Sequence, residues 1–179
     1  MNEAPQAAQH TYTLAADEKA TQVMIGTPDA LIWGDLVTKE QVRISAYLNT
    51  LAEDYVPLHN AKILFLAPQQ QTPPIERSSV YIRQQEILIF FAMHDDEPLP
   101  EETQTRKYES VEAFAGSYQV EGTVLKAPIS TMQNMLLVSK ATYLPVYSAT
   151  VCHVAKSWLG NFSTNLAHVR CERMILAVP

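Results

Sequence analysis

Glycine is scarce, with 5 in 179 residues, and none of them falls in a G-x-G-x-x-G, a P-loop or a G-x-S-x-G arrangement. That leaves little backbone with which to cradle a phosphate or to set a nucleophile on a strained elbow. Cysteine is scarcer still, at 2. Two cysteines, Cys152 and Cys171, in a chain with no secretory signal read as buried small side chains rather than as a disulfide or a metal pair. The five histidines, His10, His59, His94, His153 and His168, show neither H-x-x-H nor H-E-x-x-H spacing. Cys152 and His153 are adjacent, which on a strand aims their side chains at opposite faces. No catalytic group, metal site or cofactor is therefore expected.

Positive charge of one sign is also missing. The formal net charge is -6 and the basic residues are scattered, so no track for a phosphate backbone is visible and nucleic acid is disfavoured as a partner. Long hydrophobic runs are absent too. The longest, Ile87 to Met93 (ILIFFAM), falls far short of the roughly 20 residues of a membrane helix and reads as a strand. The first residues, MNEAPQAAQHTYTLAADEKATQ, are polar and lack the basic start and apolar core of a secretory signal. A cytoplasmic location without membrane insertion is expected. The sequon at Asn161 to Ser163 is discounted on the same ground.

What the chain does contain is a phrase said twice. Tyr55 to Ala61 reads YVPLHNA and Tyr143 to Ala149 reads YLPVYSA. The same offset of 88 pairs Gly34 with Gly122, Leu48 with Leu136, Pro57 with Pro145 and Ala61 with Ala149. At an offset of 87, Arg83 to Ile89 lies over Arg170 to Leu176. Each half carries the same succession of signals. A hairpin opens it, with Gln22 to Ile25 and Ala30 to Val37 around Thr27-Pro28-Asp29, and Val111 to Ala115 and Tyr118 to Leu125 around Gly116-Ser117. One or two helical turns follow, marked by Ile44, Tyr47, Leu48 and Leu51 in one half and by Met132, Met135 and Leu136 in the other, where Ser130 and Gln133 form a capping-box pattern. The repeated phrase then enters a strand, with Pro57 and Pro145 placing an edge or a bend there. A final strand closes each half, over Val80 to Met93 and Val169 to Val178.

The fold class expected is all-β: two tandem, small, antiparallel β-barrel-like units related by pseudo-two-fold symmetry, each with a short helical turn. The domain limits are a polar arm over 1-21, a first repeat over 22-93, an acidic, proline-bearing linker over 94-107 and a second repeat over 108-179. His94, Asp95 and Asp96 in the linker read as a solvated cluster rather than a cation site.

The stretch from Ile32 to Leu64, closed by SVYIRQQEILIFFA, resembles a group of small uncharacterised bacterial β-barrel domains. The likeness rests on Gly34, on Arg43 to Asn49 (RISAYLN), on Tyr55 to Ala61 and on the final strand Val80 to Phe91. It implies a barrel, loosely Sm-like, and brings no chemistry with it. The acidic residues frequent in that group are replaced by Ala46 and Asn60, and by Asn134 and Ser148 in the second half.

Apolar surplus is the most informative functional sign. A half-exposed strand alternates, yet ILIFFAM and MILAVP are apolar on both faces at equivalent places. Covering about 300 Å² of such surface is worth roughly 7 kcal/mol at about 25 cal/mol/Å². The two closing strands are therefore expected to pack against each other or to meet another subunit. The interface candidates are Ile87, Ile89, Phe91, Met174 and Leu176, together with Trp158 and Phe162 of the segment Lys156 to Ala167, read as a loop. The function expected is a non-enzymatic assembly or adaptor role with a protein partner or in a homo-oligomer. The alternatives are a sensor binding a nucleotide or metabolite between the repeats around His59, Asn60, Tyr147 and Ser148, and an Sm-like RNA-binding module.

Overall fold

The computed structural model of the chain describes residues 12-50, 54-67, 73-93 and 99-179. Ten strands and two short helices succeed one another: β1 (Glu18–Gly26), β2 (Ala30–Lys39), α1 (Ile44–Thr50), β3 (Tyr55–Phe65), β4 (Ile75–Arg83), β5 (Ile89–Ala92), β6 (Lys107–Ala115), β7 (Tyr118–Lys126), α2 (Met132–Val138), β8 (Tyr143–His153), β9 (Asn161–Arg170) and β10 (Met174–Ala177). All strand pairs are antiparallel and belong to one sheet, in the order β10-β6-β7-β8-β9-β5-β1-β2-β3-β4. The all-β expectation is met. The barrel is not, because β10 and β4 end the sheet and do not meet.

The two halves use the same pairing arithmetic. Adding 88 to both members of Val23↔Gly34 gives Val111↔Gly122, and Leu31↔Leu64 likewise gives Gln119↔Cys152. Both second strands meet their partners through a register shift at the corresponding place, between Trp33 and Asp35 and between Glu121 and Thr123. Opposite each shift a residue adopts the left-handed conformation, Asn60 and Ser148, each at φ 49°. The repeated glycine is explained here. A Cβ on Gly34 would stand 2.8 Å from the His59 carbonyl oxygen, and one on Gly122 would stand 2.6 Å from that of Tyr147. Only glycine lets the bulged strand approach so closely.

Beyond the bulge the arithmetic drifts. Val56↔Ile82 corresponds to Leu144↔Val169 by adding 88 and 87, and Gly26↔Ile89 corresponds to Phe114↔Ile175 by adding 88 and 86. The last step differs from the expected offset of 87 for a local reason. The 3-10 turn Gln84–Glu86 is followed by Ile87 and Leu88 before β5 starts, whereas the turn Cys171–Arg173 leads straight into β10.

Several other expectations are corrected. The closing strand drawn over Val80 to Met93 is two strands, β4 and β5, broken at the polar turn Gln84-Gln85-Glu86, and Val169 to Val178 breaks in the same way at Cys171–Arg173. The segment Lys156 to Ala167 is not a loop. After the short turn Ser157–Leu159 it is strand β9, which carries too few apolar residues to announce itself by alternation. Helix α2 is capped by Thr131, whose side chain accepts from the Asn134 amide, and not by Ser130. The polar arm ends earlier than residue 21, since β1 starts at Glu18, while 1-11 lie outside the described residues. The cluster His94, Asp95 and Asp96 lies outside them as well.

Two cores hold the sheet. One, formed by Val23, Ile25, Leu36, Val56, Leu58, Ile82, Ile87 and Phe90 with their neighbours, belongs to the first half and takes in only Tyr143 from the second. The other, with Val111, Val120, Val124, Val146, Val151 and Val169, also takes in Met24, Leu31, Leu64, Leu66, Leu88, Ile89 and Phe91 of the first half. Strand β5 thus divides its side chains between both cores, and this is why ILIFFAM is apolar on each face.

Candidate functional site

The most instructive geometry lies where the halves join. β5 pairs with β1 on one side and β9 on the other, in the register Ile89↔Val169, Phe90↔His168 and Phe91↔Ala167. Phe90 stacks on the His168 imidazole at 4.4 Å and 1° and meets the Tyr143 ring edge-on at 4.9 Å. The Arg170 amide donates to the Leu88 carbonyl at 2.8 Å, while its guanidinium donates to the Gln84 carbonyl at 2.9 Å and lies near the exposed Glu172. Burial holds the His168 imidazole down at about 4, so it is neutral at physiological pH, and its Nδ1 has no hydrogen-bond partner.

Proline sets which backbone groups face this seam. Pro145 lies opposite His168 and has no N–H, so the two cannot exchange ladder bonds, and the N–H and C=O of His168 point to the other side, toward β5. Pro57 lies opposite Tyr81 in the same way. The N–H and C=O of Tyr81, and of Arg83 two residues on, therefore point away from β3. On that side of β4 there is no strand among the described residues.

β4 and β10 thus stand as the counterparts of β9 and β5 without a second neighbouring strand among the described residues. By the pairing arithmetic Tyr81 corresponds to His168 and Ile175 to Ile89. Tyr81 is 70% exposed and His168 5%; Ile175 is 72% exposed and Ile89 0%. The same positions are sealed at the seam and open at the ends of the sheet. An unpaired edge with large apolar side chains is a template for strand addition.

The residues singled out by sequence separate accordingly. Ile87, Ile89 and Phe91 are buried inside the chain and have no surface to offer a partner. Met174 and Leu176 are half-buried on β10, facing the core of their own half. β5 and β10 are not neighbours in the sheet, where β6 to β9 lie between them, although Met174 and Leu176 pack against the core cluster that also holds Leu88, Ile89 and Phe91. Phe162 is half-buried on β9 with its ring 6.1 Å from Phe91, while Trp158 is exposed. Tyr81 and Ile175 were missed. The proline opposite Tyr81 and the polar break before β5 are the signals that could have found them.

The four ligand candidates are not drawn into one place. His59 Nδ1 lies 3.1 Å from Ser79 Oγ with the Tyr12 ring against it, and Asn60 donates to Asp35 at 2.8 Å, all within the first half. Tyr147 meets the Tyr108 ring edge-on, and burial raises its hydroxyl pKa. Ser148 is exposed on β8. Tyr147 does line a cleft of about 280 Å³ between the halves, with Arg43 and Asn49 of the α1 region, Tyr143, Leu166 and His168. Among the described residues no three His, Cys, Asp or Glu side chains form a group that could hold a metal ion. Cys152 and Cys171 are free thiols, both partly buried, and burial raises both pKa values. No helix among the described residues is long and apolar enough to cross a membrane.

Compared with protein-family models, with curated proteins and with solved structures, the chain gives no match.

Proposed function

We propose that this chain is a non-catalytic assembly module, made of two copies of one antiparallel β unit, whose contact surfaces are the strands that end its sheet. The observation that carries the reading is the exposure of Tyr81 and Ile175 on β4 and β10, at positions whose counterparts are sealed by strand pairing inside the chain. Duplication is supported by the constant 88-residue relation of the pairing registers and by the paired bulges at Asn60 and Ser148. A two-fold relation between the units does not fit. It would turn the β5–β9 seam into a β10–β4 seam within the chain, and those strands lie at opposite ends. The relation is open-ended, as in a stack. Likeness to small β-barrel domains then concerns the unit rather than the closure of the sheet.

The test is a photo-crosslinking amino acid placed at Tyr81 or at Ile175 in the cells that make the chain. Leu137, exposed on α2, serves as the control position. Protein adducts from the edge positions but not from the control are expected. No adduct at either edge overturns the reading.

The cleft favours a second reading, a small polar ligand held between the halves by Tyr147, Asn49 and Arg43 and facing the unpartnered imidazole of His168. A ligand at 100 times its dissociation constant adds about 2.7 kcal/mol of stability. A nucleotide and metabolite panel read by thermal shift is the check. A hit whose shift survives Tyr147→Ala, or no hit at all, removes this reading.

A further inference from the structure

We infer that the partner at these edges is a second copy of the same chain, added head to tail. β10 of one copy lies beside β4 of the next, in the register that the chain already uses between β5 and β9. This inference rests on the assembly reading above and gives it a partner and a geometry.

The register follows by substitution. Ile89↔Val169 at the seam becomes Ile175 opposite Ile82 of the next copy, since 89 plus 86 is 175 and 169 minus 87 is 82. Phe90↔His168 becomes Leu176 opposite Tyr81, and Phe91↔Ala167 becomes Ala177 opposite Val80. The Arg170 amide that donates to Leu88 becomes the Arg83 amide, which Pro57 already fixes as pointing away from β3, donating to Met174. Strand direction, side-chain face and hydrogen-bond polarity are thus all specified.

The side chains match the positions they would fill. At the seam Ile89 enters the core of the following half beside Val169, and both are buried. Ile175, the most exposed large aliphatic side chain on a strand among the described residues, would enter beside Ile82, which is already part of the first-half core. Tyr81 would take the ring position of His168, with Leu176 against it where Phe90 now stacks. The second-half core takes in seven buried side chains from the first half, Leu88, Ile89 and Phe91 among them, whereas the first-half core receives only Tyr143 from the second. A preceding copy supplies what it lacks.

A different protein able to offer an edge of the same sequence pattern is a less economical partner, because the chain carries both complementary edges itself. Since the two surfaces are different patches, the contact is heterologous, and it yields rings where the rotation per copy closes and filaments where it does not.

The experiment uses the full chain and two variants, each blocking one edge. Tyr81→Pro removes an amide that serves only the outer side of β4, and Ile175→Glu puts a charge on an exposed β10 position. Light scattering and native mass spectrometry of the wild type are expected to give multiples of 20.0 kDa that grow with concentration. Each variant alone is expected at 20.0 kDa, folded by circular dichroism. Their one-to-one mixture is expected to form a dimer and nothing larger, because one good β10 and one good β4 remain. A wild type that stays at the mass of one chain, variants that still assemble, or a mixture that stays monomeric each overturn the inference. Should a variant misfold, chains carrying Val80→Cys and Ala177→Cys, with Cys152 and Cys171 replaced by serine, are mixed under mild oxidation. A crosslink between the two different chains supports the register, and its absence contradicts it. Edge adducts in cells together with a monomeric purified chain would leave the assembly reading standing and remove self-pairing; absence of both removes both.

Discussion

β5 and β10 occupy the same place in their halves and are spelled alike, IFFA and MILA, yet all four residues of β5 are buried and none of β10 is. The sequence of a strand fixes what it is able to cover; its next neighbour fixes whether it is covered. β5 has β9 on its far side and two cores to serve. β10 has β6 on one side and, among the described residues, no strand on the other. The same contrast runs between β9, whose last four residues are buried, and β4, of which only Ile82 is.

Six substitutions sharpen or break this comparison. The largest effect is expected from Phe90→Ala, which removes a buried ring held between His168 and Tyr143; a loss of about 3-5 kcal/mol by chemical denaturation is expected. Its register counterpart, Leu176→Ala, should cost about 1 kcal/mol or less in the dilute chain because Leu176 is only half-buried. Equal losses would erase the distinction between seam and edge.

Acid comes next. The His168 imidazole has its pKa lowered from 6.5 to about 4 by burial, so between those values the unfolded chain binds a proton that the folded chain does not. Stability is then full above about pH 6.5 and falls as pH drops toward 4, by about 3 kcal/mol. A denaturation series from pH 7 to 4 should show this slope, and His168→Phe should flatten it. A slope unchanged in the variant would place the proton-linked group elsewhere.

Gly34→Ala and Gly122→Ala place a Cβ against the bulge carbonyl in each half, and a cost of about 1-3 kcal/mol is expected for both in thermal melts. If one glycine is freely replaced, the two bulges are not the same device. Smallest is Ile175→Glu, which should change the stability of the isolated chain by no more than about 0.5 kcal/mol because the side chain is exposed. A much larger loss would mean that Ile175 is already packed.

Much of the frame was legible from residues alone. The hairpins around Thr27-Pro28-Asp29 and Gly116-Ser117, the helical turns at Ile44 and Met132 and the strands entered at Tyr55 and Tyr143 all lie where turn residues and periodicity place them. These signals are local, and local chemistry decides them. The apolar surplus of ILIFFAM correctly announced a strand covered on both faces. It did not say by what, because strand order is a long-range property: β5 and β9 pair across 75 intervening positions or more, and nothing in either segment names the other. Gln84-Gln85-Glu86 was read through because its neighbours were apolar, and that hid the separation of β4 from β5. With it went Tyr81, an unremarkable aromatic until Pro57 is seen opposite it.

Amide hydrogen exchange at Tyr81 and Arg83, followed from dilute to concentrated protein, examines the account most directly. His168 and Arg170, the counterparts inside the chain, should be protected at every concentration. Tyr81 and Arg83 should exchange freely when dilute and become protected as copies add head to tail. Free exchange at both edge amides throughout, in a protein whose seam amides stay protected, would contradict it.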